Sequence, residues 1–155
     1  MRSGAQNADC GPIAERKAAV RFFVAGEPKP LARPRATRRG QHAGIYQEKP
    51  QWYALVAHEA ALARQGAAFS GPVRVRLSFL MPRLKKMPKR EKPHVTRPDI
   101  DNLSKLILDA VTPTLIANDT QVVELHAQKR YALADEPPGC AIELAAQAAE
   151  ESDAL

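Results

Sequence analysis

An α+β fold is predicted for this chain: one small domain in which a mixed β-sheet is packed with two helices. Three observations predict it. Val73, Val75, Leu77 and Phe79 alternate with Arg74, Arg76 and Ser78, and Cys140, Ile142, Leu144 and Ala146 alternate in the same way. A period of two marks a strand with one buried face. Leu103, Leu106, Ile107, Ala110 and Val111 instead follow the spacing of one helical face. The order strand, helix, strand, helix, strand, strand is most economically satisfied by a mixed sheet covered by two helices.

The bounds are consistent with one domain. The chain has 155 residues, 5% aromatics and 13 prolines, which suits a small single core with long surface loops. A net charge of +6 favours a polyanionic partner. No apolar run approaches the roughly 20 residues that span a bilayer, so no membrane association is expected. Met1 to Ala18 has no apolar signal core, so a cytoplasmic location is expected. Cys10 and Cys140 make neither a disulfide framework nor a paired metal spacing. Residues 1–18 are expected to be a disordered amino-terminal extension, 19–146 the folded domain, and 147–155 an acidic disordered tail with Glu150, Glu151 and Asp153.

The elements follow in order. Ala19 to Ala25 is rich in β-formers and reads as the first strand. It stops at Gly26-Glu27-Pro28. Lys29, Arg33, Arg35, Arg38 and Arg39 come next, and Pro30, Pro34, Gly40 and Gly44 argue for a cationic loop. Gln47 to Gln65 reads as a helix, with Pro50 in its first turn, Gly66 at its stop and an apolar stripe of Trp52, Leu55, Val56 and Leu62. After the strand Pro72 to Leu80, a second basic loop carries Arg83, Lys85, Lys86, Lys89, Arg90 and Lys92. Pro82, Pro88 and Pro93 disfavour regular structure there, and the loop is expected to lie against nucleic acid and to order on binding. Thr120 to Tyr131 reads as a strand, and Lys129 and Arg130 could reach a phosphate backbone. The last strand is expected to run antiparallel beside its predecessor.

The chemistry concentrates in Arg97-Pro98-Asp99-Ile100-Asp101-Asn102-Leu103-Ser104-Lys105, followed by Asp109 and by Asn118-Asp119. Asp99 and Asp101, two apart in an extended segment, point the same way. Asp101, Lys105 and Asp109 are each four apart and share the polar face of the helix, with Leu108 at a boundary. A lone aspartate before a helix is most simply an N-cap, worth about 1 kcal/mol. Capping accounts for neither the second carboxylate nor Asp119 before the next strand, whose start is expected to lie next to the helix start. Carboxylates brought together repel and are tolerated with a cation or a shared proton. With oxygen ligands and no Cys or His cluster, a hard cation such as Mg2+, or Mn2+, is favoured over zinc.

These residues resemble the RusA family of Holliday junction resolvases. The resemblance rests on Asp99-Ile100-Asp101-Asn102-Leu103, Lys105, Asp109 and Asn118-Asp119 with Gln121-Val122-Val123. Gly26-Glu27-Pro28 and Arg33-Pro34-Arg35 resemble the family's basic amino-terminal loop. In order, the match runs from about residue 20 to residue 146. It implies that Asp99, Asp101 and Asp119 are the metal-binding catalytic carboxylates, that Lys105 is the catalytic lysine, and that the protein is a homodimer acting on branched DNA, the four-way junction. Asn118 stands where the family often has another Asp.

The implied activity is metal-dependent phosphodiester hydrolysis by paired symmetric nicks. Lys105 either places positive charge on the scissile phosphate or orients the attacking water, and Asp109 holds Lys105 by an i,i+4 contact. Lys29, Arg33, Arg35, Arg38, Lys85, Lys86, Lys89, Arg90 and Arg97 are the expected DNA contacts. Two alternatives stand beside this reading. One is a noncatalytic basic nucleic-acid-binding module, whose carboxylates cap helices and pair with cations. The other is a metal nuclease that acts on other branched DNA.

Overall fold

The computed structural model describes residues 19–147. The expected extension at 1–18, and all but the first residue of the expected tail, lie outside them. Strands β1 (Ala19–Ala25), β2 (Arg35–Arg39) and β3 (His42–Tyr46) precede helix α1 (Gln51–Ala63). Strand β4 (Val73–Met81), helix α2 (Ile100–Val111), a 3-10 turn (Asp119–Gln121), β5 (Val122–Tyr131) and β6 (Gly139–Ala146) follow. The predicted α+β class is the observed one. A four-stranded mixed sheet has the order β1-β6-β4-β5, and β2 and β3 form a separate ribbon.

Strand β6 corrects one expectation. It does not pair with β5. It lies between β1 and β4, antiparallel to both, while β5 pairs with β4 in parallel. The reason lies in burial. Cys140, Ile142 and Leu144 are buried while Ala141 is exposed, so one face of β6 meets the core, and both its edges are paired. Strand β5 arrives through α2 as a parallel crossover and stays at the sheet edge, with Val123 and Leu125 exposed.

The basic stretch after β1 is also not all loop. Its prolines end at Pro34, and β2 begins at the next residue. Gly40, at φ +61°, supplies the left-handed backbone of the turn. Helix α1 is shorter than the predicted span and begins after Pro50, whose backbone is extended. Its buried stripe is Trp52, Val56 and Ala60. Leu55 and Leu62, expected in that stripe, are exposed because only the fourth-residue row meets the sheet.

Helix α2 matches its pattern closely. Leu103, Leu106, Ile107, Ala110 and Val111 are buried, and Leu108 packs partly against the core. They meet Val73, Val75, Leu77 and Phe79 of β4, all fully or nearly fully buried. Ser104, also buried, donates its hydroxyl to the carbonyl of Ile100 at 2.7 Å, so its burial leaves no unpaired donor. No helix among the described residues is long and apolar enough to cross a membrane.

Candidate active site

Helix α2 starts at the end of the sheet where β4 finishes. The chain leaves β4 at Met81 and returns through residues 82–99. Both ends of that return are tied down. Arg83 Nη2 donates to the carbonyls of Met87, at 2.8 Å, and Pro88. Further on, Tyr131 N donates to Lys92 O at 2.9 Å and His94 N to Lys129 O at 3.4 Å. Pro93 bridges to Arg130, and the His94 ring lies 4.7 Å from the Tyr131 ring. Lys129 Nζ donates to Thr96 O at 2.8 Å and Pro98 O at 2.6 Å. The expectation that this whole loop orders on binding is therefore revised. The segment 92–98 is already fastened to β5, and the solvated part is the run from Leu84 to Lys86 and Pro88 to Arg90.

That fastening presents Asp99 and Asp101. Asp99 stands at the N-cap position with extended backbone (φ −73°, ψ 143°), and its side chain makes no capping bond. Its carbonyl instead accepts from Leu103 N at 3.1 Å. Asp101 lies in the first turn, and its Oδ1 accepts from Asn102 N at 2.8 Å. Both residues are exposed, and neither joins an ion pair among the described residues. The helix N-terminus favours their negative charge. They line a cleft of about 610 Å³ with His94, Thr96, Arg97 and Lys129. His94 is held below its ordinary pKa range, first by burial and then by the Lys129 charge. Its Nδ1 is buried without a partner among the described residues.

A smaller notch of about 400 Å³ joins Asp99 to Arg33 and Arg97, so both basic segments meet at this carboxylate. Lys29, Arg33, Arg35, Arg38, Lys85, Lys86, Lys89, Arg90 and Arg97 are all exposed. Only Lys29 has an acidic neighbour among the described residues, Glu27 at 4.0 Å. Arg35 sits opposite Tyr46 on the β2–β3 ribbon, where Tyr46 and Ile45 are also exposed. Arg130 differs from these. It donates to Glu136 through both Nη atoms, at 2.6 and 2.9 Å, and that bidentate pair holds the Glu136 carboxyl down at about 2. Arg130 is thus engaged within the fold and does not face outward as a free cation.

Asp119 lies at the other end. Asn118 Oδ1 accepts from Thr120 N at 3.0 Å. Gln121 Oε1 accepts from the backbone N–H groups of Ala117 and Asn118, at 2.8 and 3.0 Å. Gln121 Nε2 donates to Phe69 O at 2.8 Å and Gly71 O at 3.0 Å. The turn is therefore bolted to the segment entering β4, and Asn118 serves as its cap. This corrects the expectation that β5 delivers Asp119 beside the helix start. Val122 pairs with Val73 and Lys129 with Phe79, so about 23 Å of strand separate the two ends. The 12 residues of α2 rise by about 18 Å over the same interval. Asp119 stands by the end of α2, and the helix itself is what holds it away.

A groove of about 560 Å³ runs between α2 and β5, lined by Asp101, Lys105, Leu108, Asp109, Asp119 and Leu125. Lys105 is exposed in it and pairs with neither Asp101 nor Asp109 among the described residues. The expected i,i+4 hold by Asp109 is absent, which leaves the ammonium free to face a ligand. Among the described residues no three His, Cys, Asp or Glu side chains meet as a metal-binding group. The donor set at Asp99 and Asp101 nevertheless fits a hard cation: two exposed, uncapped, unpaired carboxylates and no sulfur ligand.

The fold and the site together define a class: a small α+β protein with an acidic cleft at a helix start, set among cationic segments. The comparison with known families gives the particular answer. The model of the family Endodeoxyribonuclease RusA matches residues 25–145, and this chain belongs to that family of endodeoxyribonucleases. It is also 30% identical over 129 residues to the uncharacterized protein YqaN of Bacillus subtilis (strain 168), a match that covers 72% of this chain and 87% of that protein.

Proposed function

We propose that the protein is a divalent-metal-dependent endodeoxyribonuclease that resolves four-way DNA junctions by paired symmetric nicks, as a cytoplasmic homodimer. The observation that carries the reading is the pair Asp99 and Asp101: both carboxylates are exposed at the α2 start and join no ion pair among the described residues, with Arg97 beside both and Arg33 beside Asp99. Membership of the RusA family supports the substrate class. A two-fold dimer matches a junction that needs two symmetric cuts.

Asp99 and Asp101 would hold the cation, Mg2+ or Mn2+, with Asp119 as a third carboxylate. When bound, the cation supplies a water of lowered pKa and offsets charge building on the phosphate. Lys105, one turn beyond Asp101 and without an internal partner, either meets a phosphate oxygen or orients the attacking water. The basic residues of the ribbon and of the 82–98 loop hold the arms of the substrate, because free carboxylates alone would repel it.

The test is cleavage of a labelled four-way junction, with and without Mg2+, by the wild type and by Asp101→Asn, with linear duplex as control. Paired nicks that require both the metal and Asp101 are the expected result. Tight junction binding without cutting under any divalent metal would favour the noncatalytic binding module.

A further inference from the structure

We propose that Tyr46 selects branched over linear DNA: its ring stacks on a base left open at the branch point, beside the cleft that cuts. The inference rests on the branched-DNA nuclease reading above and assigns the recognition element within it.

The first ground is that packing within the fold does not account for the ring. Strand β3 is exposed at all five positions, and Tyr46 is exposed to 61%. The chain's other two tyrosines are engaged. Lys49 Nζ lies 4.2 Å over the Tyr53 ring, whose hydroxyl donates to Asp109 O at 3.3 Å. Tyr131 meets the His94 ring. Among the described residues no such ring contact covers Tyr46. An open aromatic face on a cationic DNA-binding ribbon is a platform for a nucleobase, because every base offers a π-face of its own.

The second ground is position. Arg35 and Tyr46 stand directly opposite each other, so their side chains share one face of the ribbon. Arg33 lies two residues back along an extended approach, since it precedes Pro34. Gln47 Nε2 donates to Ala32 O at 2.8 Å and clasps the foot of the ribbon. The Tyr46 backbone is therefore roughly 9 Å from that of Arg33, one strand spacing across and two residues along. Arg33 in turn lines the notch that contains Asp99 and Arg97. Nucleotides follow one another by roughly 3.4 Å along a duplex strand, so the ring reaches a base a few nucleotides from a phosphate held at that notch.

The third ground is the chemistry of a branch. In linear duplex both faces of each base are covered by its neighbours, and opening a step is costly. At a branch point the stack is already interrupted, so the ring finds a partner without that cost. Arg35, on the same face, meets phosphate in any DNA and gives affinity without discrimination. The ring gives affinity only where a base face is free, and the discrimination between branched and linear DNA therefore lies with Tyr46.

The experiment measures binding without divalent metal, so that nothing is cut, on a four-way junction and on linear duplex. Tyr46→Ala should weaken junction binding by about 5–150-fold, the range for losing one base–aromatic stack. Duplex binding and the salt slope should stay as in wild type, because no phosphate contact is removed. Tyr46→Trp should keep the junction preference. Ile45→Ala, on the opposite face of the same ribbon, should behave as wild type. A loss shared equally by junction and duplex, or matched by Ile45→Ala, overturns the proposal. So does a Tyr46→Ala protein that sediments at a different size from wild type, because the ring would then belong to a subunit contact.

A second measurement pairs the ring with its base. Junctions are made with a single abasic position at each nucleotide flanking the branch point. At one position the missing base should weaken binding to wild type but cause no further loss with Tyr46→Ala, the non-additivity of two groups in contact. Losses that add at every position rule out stacking. A wild type that binds the junction no tighter than duplex removes the branched-DNA reading itself, and the proposal with it.

Discussion

The two ends of β5 solve the same problem with different chemistry. At one end, the 18 residues between β4 and α2 are drawn in by a charged group, the Lys129 ammonium on the carbonyls of Thr96 and Pro98. At the other, the short link after α2 is held by a neutral amide, Gln121, which makes four bonds to backbone groups. Both devices grip main chain and leave the neighbouring carboxylate untouched. A long proline-rich loop has many alternative paths, so its hold must be strong, and charge-assisted hydrogen bonds are the strong ones. A short turn already confined by Leu115 and Ile116 in the core needs only geometric matching.

That contrast predicts a graded series. Lys129→Met should have the largest effect. It frees segment 96–98 and should lower single-turnover cleavage by about 10–100-fold, the range for residues that orient a metal ligand. Lys129→Arg should recover part of it, and junction affinity should change little. A fall in affinity as large as the fall in cleavage would show that Lys129 is a DNA contact and not a positioning residue.

Gln121→Ala should act on stability first. It strands two N–H donors and two carbonyls, and a loss of about 1–3 kcal/mol is expected in urea unfolding. Cleavage at saturating metal should fall less than with Lys129→Met. The reverse order would mean that the Asp119 end, not the Asp99 end, sets the working geometry.

The Arg130–Glu136 pair braces the same end of β5 as Lys129, and pH separates their contributions. Glu136 has its folded pKa depressed from 4.5 to about 2 by Arg130. Its contribution to folding is therefore complete above about 4.5 and is lost as pH falls toward 2. Glu136→Gln should remove that part of the acid dependence in thermal melts between those values. An unchanged acid profile would show that the pair is already open in solution.

The smallest effects belong to the ribbon arginines. Arg35→Ala or Arg38→Ala should each weaken junction binding modestly and reduce the slope of log affinity against log salt by about 1. Neither should change the metal dependence of cleavage.

Much was legible in the residues themselves. The period-two runs placed β4 and β6, and the helical spacing named the five apolar α2 residues that are buried, because burial of one face is written directly in local periodicity. The Asp99–Asp101 pair and Lys105 were likewise visible: i,i+4 spacing puts Asp101 and Lys105 on one side of the helix, and Asp99 stands just before it. The ribbon at 35–46 was not. The described side chains of its strands are all exposed, so no apolar alternation announces them, and the prolines before Arg35 signalled a loop.

What only the tertiary structure decided is which ends meet. The neighbour of β6 depends on a crossover and not on any local signal. The roles of Lys129 and Gln121 depend on carbonyls some 30 to 50 positions away in sequence. Above all, the sequence alone determined that Asp119 would stand before β5, while the fold determined that α2 runs the length of the sheet between it and Asp99. A helix is a rigid rod, and its rise turns residues that are close in sequence into opposite ends of one edge.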